Sequence, residues 1–141
     1  MGIVIDAFRF NRLDKTGMAK PIVYCNPEED LIDKSVPINI PLAKELQKQG
    51  TAMMRTMRME QNLTSVLNTL PDNSVIRDFD VMFNPEYQMD IIKAFINVYR
   101  KKSFSVIWPG RYEEGKLYYA EESYKDYKVF EISNYDITVV I

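Results

Sequence analysis

Between Ser74 and Trp108 the apolar residues change their spacing twice, and no other feature restricts the fold of this chain as much. Ser74-Val75-Ile76 has the make-up of a short buried strand. From Asn84-Pro85-Glu86 the spacing becomes helical, because these residues offer a cap, a proline suited to a first turn and an early acid. The helix they predict carries Tyr87, Ile91, Ile92, Phe95, Ile96 and Tyr99 on one face. Arg100-Lys101-Lys102 supply cations for the negative end of its dipole. Phe104, Val106 and Trp108 then alternate as in a strand, until Pro109-Gly110 breaks it. A strand, a helix and a strand in this order predict a right-handed crossover joining a parallel pair. The chain therefore reads as α/β.

The flanks are read the same way. Ile3 to Phe10 and Pro21 to Cys25 are apolar runs separated by Leu13-Asp14-Lys15-Thr16-Gly17, a turn-like segment that predicts a hairpin. Two prolines bracket Val36-Pro37-Ile38-Asn39-Ile40-Pro41, which suits a short strand near an edge. Helical spacing begins at Leu42 and continues through Leu46, Met53, Met54, Met57, Leu63, Val66, Leu67 and Leu70, with Gly50 dividing it into two helices. After Pro109-Gly110 the chain reads as short strands at Lys116 to Ala120, Lys128 to Ile132 and Asp136 to Ile141.

With 141 residues and 46% hydrophobic side chains, residues 1–141 suffice for one core and leave no room for a second. A single α/β domain follows, with a partly parallel sheet flanked by helices and a C-terminal run of short strands. The charges nearly cancel, 18 basic against 20 acidic, so no basic excess implies a nucleic-acid partner. The chain has no histidine and one cysteine, Cys25, which excludes an internal disulfide, a Cys/His zinc site and every Ser-His or Cys-His nucleophile. A reducing, cytoplasmic setting is expected. Ile3-Val4-Ile5 is too short for a signal segment, and no run approaches membrane-spanning length.

Acids directly after a short strand, as in Ser74-Val75-Ile76-Arg77-Asp78-Phe79-Asp80, occur where P-loop NTPases hold magnesium and orient water. They are more often turn or helix-start residues. A phosphate-binding loop needs glycines so that backbone N–H groups can close around the phosphates, and a lysine that reaches the β and γ oxygens. No window supplies both. The nearest, Glu28-Glu29-Asp30-Leu31-Ile32-Asp33-Lys34-Ser35, has acids at both glycine positions, and Asp14-Lys15-Thr16 has no glycine before it. Both read as turns. Met53, Met54 and Met57, interleaved with Arg55 and Arg58, suit either a core or an adaptable partner-binding face. Trp108, Arg111 and Tyr112 belong to the densest aromatic and turn-residue cluster, and are candidates for the same surface.

As a set, these residues are more informative. Val81-Met82-Phe83-Asn84-Pro85-Glu86-Tyr87, Val106-Ile107-Trp108-Pro109-Gly110, Gly115-Lys116-Leu117-Tyr118-Tyr119-Ala120-Glu121 and Tyr127-Lys128-Val129-Phe130 follow one another in a particular order. That order resembles the C-terminal half of the small P-loop protein of type 3 BREX phage-defence systems, over about residues 74–141. The resemblance implies a P-loop-like fold and a cytoplasmic bacterial protein acting with other defence-system subunits. Family members carry a glycine-rich loop near the N-terminus, and residues 1–35 here contain none. Aligned on Phe83, the family's metal-holding acid falls on Arg77, with Asp78 one place later, and its water-orienting acid falls on Asp80. The expected function is accordingly a non-hydrolysing interaction or regulatory component, with no cofactor, no metal and a possible homo-oligomer. One alternative is a nucleotide-binding ATPase with an unconventional or partner-completed site, using ATP and magnesium through Asp78, Asp80, Lys34, Ser35 and Lys15. Another is a small phage-related inhibitor or immunity-type module that binds through its methionine and aromatic surfaces.

Overall fold

The computed structural model describes residues 1–141. At its centre β4 (Ser74–Arg77) and β5 (Phe104–Ile107) pair in parallel, with Ile76 opposite Val106. They are joined through α6 (Ile91–Tyr99), as the change of spacing predicts. β2 (Ile22–Tyr24) lies on the other side of β5, and β9 (Thr138–Val140) lies beyond β2. β1 (Ile3–Ile5) and β3 (Val36–Pro37) form the two edges. The order is β1-β9-β2-β5-β4-β3, and every pairing in this sheet is parallel. β9 has no alternation because both of its faces are covered. Thr138, Val139 and Val140 are all buried, as expected of an inner strand in a parallel sheet.

The antiparallel pairs are confined to a second sheet of β6 (Arg111–Glu113), β7 (Lys116–Tyr119) and β8 (Lys128–Glu131). Its Leu117 and Phe130 pack in the same 25-residue core as Val23, Ile76, Phe95 and Val139. Thus the small sheet completes the main core rather than making its own. A separate cluster of Ile5, Phe10, Ile22 and Val140 lies under α1 (Ala7–Phe10).

Three expectations about elements are corrected. The N-terminal runs do not form a hairpin, because β9 pairs between β1 and β2 and all three strands run parallel. The helix placed at Asn84 starts at Ile91, where Asp90 accepts a bond from the Lys93 N–H at 3.1 Å. Asn84 instead closes a turn by accepting from the Glu86 N–H at 2.9 Å, an alternative that asparagine offers as readily as a cap. The segment from Leu42 is three helices, not two: α3 (Asn39–Gln47), α4 (Ala52–Met57) and α5 (Met59–Leu67). Gly50 separates the first pair, and a break at Arg58 turns Met59 into the core. The remaining helix, α2 (Glu29–Lys34), follows β2.

Candidate functional site

The carboxyl edge of the parallel sheet carries two loops of interest, one after β4 and one after β2. After β4, Asp78 takes the left-handed backbone conformation (φ 55°), which aspartate tolerates better than most residues. Its carboxylate accepts from the Arg77 guanidinium at 2.6 Å. The Nε of Arg77 is buried without a partner. Phe79 enters the core, and Asp80 opens a short 3-10 helix (Asp80–Phe83) at the surface.

Asp80 accepts a bond from the Tyr119 hydroxyl at 2.9 Å, across 39 residues of sequence. The Tyr119 ring lies flat on Phe83, with centroids 3.6 Å apart and planes 9° apart, and Phe83 meets Trp108 edge-on at 5.7 Å. Trp108 donates its indole N–H to the Tyr118 carbonyl at 2.9 Å. Gly110 lies so close to the Tyr118 backbone that a Cβ would not fit. The segments around Phe83, Trp108 and Tyr118 therefore meet in one cluster that fastens the small sheet to the end of β4. Burial raises the Tyr119 pKa, followed by its bond to Asp80, the Asp80 charge and the Asp126 charge. The phenol stays protonated and donates.

The loop after β2 is built differently. The Cys25 N–H bonds the Val140 carbonyl at 2.9 Å, extending the sheet by one residue, and Asn26-Pro27-Glu28 then lead into α2. Glu28 caps this six-residue helix without a side-chain bond, and Glu29 and Asp30 fill its first turn. Acids there oppose an anion. Lys34 lies in the last turn, the opposite end from that at which a phosphate-binding lysine acts. Ser35 is buried and donates its hydroxyl to the Ile32 carbonyl at 2.5 Å. Burial pushes the Cys25 thiol up to about 12.

Asp78 and Asp80 are neighbours on one loop, but each is bonded to its own partner. The lysines do not join them. Lys15 sits 4.7 Å over the Phe10 ring, in a turn where Asp14 accepts from the Thr16 N–H and hydroxyl at 3.0 and 2.6 Å. Lys34 borders a cavity beside α1 that Asp80 does not line. One whole strand, β5, separates β2 from β4, which sets their ends about 10 Å apart. No three His, Cys, Asp or Glu side chains converge as a metal-binding group.

Of the residues expected at an interaction surface, Met53 and Met57 are each 72% exposed, Met54 is half-buried and Arg58 is exposed. Arg55 is partly committed, since its Nε donates to the carbonyls of Leu46 and Gln49 at the end of α3. Trp108 is a correction: it is 3% exposed and holds β7 from within, so it does not belong to a surface. The Arg111 guanidinium lies 4.5 Å over Tyr118 and within 3.7 Å of Glu113 and Glu121. Tyr112 accepts the Gly115 N–H at 3.2 Å. The sequence marks neither the bond from Tyr119 to Asp80 nor the bond from Tyr135 to Asp90 at 2.7 Å. Both join residues about 40 positions apart, and no local pattern signals such a pair.

No helix is long and apolar enough to cross a membrane. Comparison with protein-family models, curated proteins and solved structures finds no match for this chain.

Proposed function

We propose that this chain is a non-hydrolysing, P-loop-like interaction component of a bacterial anti-phage defence system, acting in the cytoplasm with other subunits of that system. The observation that carries the non-hydrolysing reading is that both acids after β4 are engaged within the chain, Asp78 by Arg77 and Asp80 by Tyr119. In addition, the helix after β2 presents Glu29 and Asp30 where phosphate would approach. Magnesium and a triphosphate would have to displace two internal bonds and face uncompensated carboxylates. The defence role rests on the resemblance of residues 74–141, whose quoted segments pack on one another around Phe83 and Trp108. Exposed Met53 and Met57 provide adaptable apolar contacts for a subunit.

Calorimetry with ATP and magnesium tests the first half. No heat of binding is expected, and micromolar affinity that is lost in Asp80→Asn would defeat the reading. Copurification from a native host tests the second half, where defence subunits are expected in the eluate. Phage structural proteins there would favour an inhibitor or immunity-type module.

One observation favours the nucleotide-binding alternative: Lys34 borders a cavity at the carboxyl ends of β9 and β2. Under that reading Lys34→Ala abolishes ATP binding. Under the main reading there is no binding to abolish.

A further inference from the structure

We propose that the cavity between α1 and α2, at the carboxyl ends of β1, β9 and β2, binds a small primary amine with an apolar body. Parallel sheets bind ligands outside the carboxyl ends of their strands. The cavity lies there, bordered by Tyr24 at the end of β2 and Val140 at the end of β9. It measures about 220 Å³, below the roughly 300 Å³ at which sites for drug-sized ligands begin.

Its lining sets the chemistry. Val140 and Phe10 belong to the separate apolar cluster beneath, and Phe10 meets Tyr24 edge-on at 5.9 Å. On the facing side α2 buries none of its residues, and Leu31 borders the cavity instead of the core. An apolar ligand body would cover Leu31 and pack on the rings. At the rim stand Glu28, Asp30 and Lys34. The chain's ion pairs involve neither acid, and Glu28 caps α2 without using its carboxylate. Two carboxylates against one ammonium leave an excess negative charge, which attracts a cation and repels an anion of the same shape. The inference is independent of any defence role.

The experiment is an amide-resolved NMR titration of the full chain with 2-phenylethylamine, with phenylacetate as the anionic counterpart. Saturable shifts are expected at residues 24–34 and at Phe10 and Val140, with a midpoint at or below about 1 mM, as fits a ligand of this size. Phenylacetate should bind at least about tenfold more weakly. The double variant Glu28→Gln/Asp30→Asn alters only exposed side chains and should raise the amine midpoint about fivefold or more. Absence of saturation below 10 mM, about tenfold above the expected midpoint, would overturn the proposal. So would equal binding of phenylacetate, or shifts at the same residues produced by ATP instead of the amine.

Discussion

The loops after β4 and β2 leave the same edge of one sheet, yet one is tied down at nearly every residue and the other hardly at all. After β4, Arg77, Asp78 and Asp80 have side-chain partners, and Phe79, Met82 and Phe83 are buried. Farther along, Asp90 caps α6 and also accepts from Tyr135 at 2.7 Å, so two tyrosines of the C-terminal third hold the β4–α6 connection at both ends. After β2, by contrast, α2 contributes nothing to the core, and its acids lack ion-pair partners. The first loop is built for rigidity. The second leaves its acids without partners in the chain. In a nucleotide hydrolase both loops must face one ligand, so the contrast itself argues for a different use of this edge.

The comparison breaks most directly at Phe83. Its ring lies between Tyr119 and Trp108 and is fully buried, so Phe83→Ala should cost about 3–5 kcal/mol in urea unfolding. A loss under about 1 kcal/mol would mean that the cluster does not hold the small sheet in place. Asp90→Ala comes next, at about 1–2 kcal/mol, because one carboxylate serves the helix cap and the tyrosine. Asp90→Asn retains the capping oxygen and should lose less. Equal losses from the two variants would assign the whole effect to charge.

The tied loop also shows where the sequence was legible. The β4–α6–β5 unit could be read from Val75 to Trp108 because its apolar spacing is local, 2 then 3.6 then 2. The position of β9 could not. Thr138-Val139-Val140 reads only as a strand, and nothing near it states that it inserts between β1 and β2. That insertion also removed the predicted hairpin. The candidate site divides in the same way. Asp78 and Asp80 were identifiable as acids after a strand, while their partners differ in kind: Arg77 is adjacent, and Tyr119 is 39 residues away. Trp108 reads as a surface candidate only because it belongs to the cluster of aromatic and turn residues around Pro109-Gly110. Its indole instead reaches the Tyr118 carbonyl, a contact set by the pairing of the second sheet.

Raising the pH should probe both loops together. The thiol of Cys25 is raised from its usual 9.0 to about 12, and the phenols of Tyr24, Tyr119 and Tyr135 are raised above 10.0. Burial is the leading cause for all four. The folded state therefore retains protons that the unfolded state releases first. Below pH 9 the contribution of Cys25 is fully present, and it declines as pH rises towards 12. Stability to urea should fall by up to about 1 kcal/mol between pH 8 and 10, and more steeply above 10 as the tyrosines join. Cys25→Ala should lessen the fall between pH 9 and 10 and leave the part due to the tyrosines. A flat profile to pH 10 in the unsubstituted protein would contradict the burial of the thiol.

The smallest effect separates the two loops most sharply. Leu31 is the apolar side chain of α2 that borders the cavity, and the helix has no buried residue. Leu31→Ala removes methyl groups that only partly leave water on folding, so the expected cost is below about 1 kcal/mol, against 2–5 kcal/mol for a leucine in a packed core. Leu63→Ala, fully buried in α5, provides that reference within the same chain. Similar losses at the two positions would mean that α2 is packed as tightly as the rest of the sheet's covering, and the distinction between a rigid and an available loop would fall. A small loss at Leu31 that grows to match Leu63 only when a saturating amine is present would place the missing packing partner of α2 in the cavity.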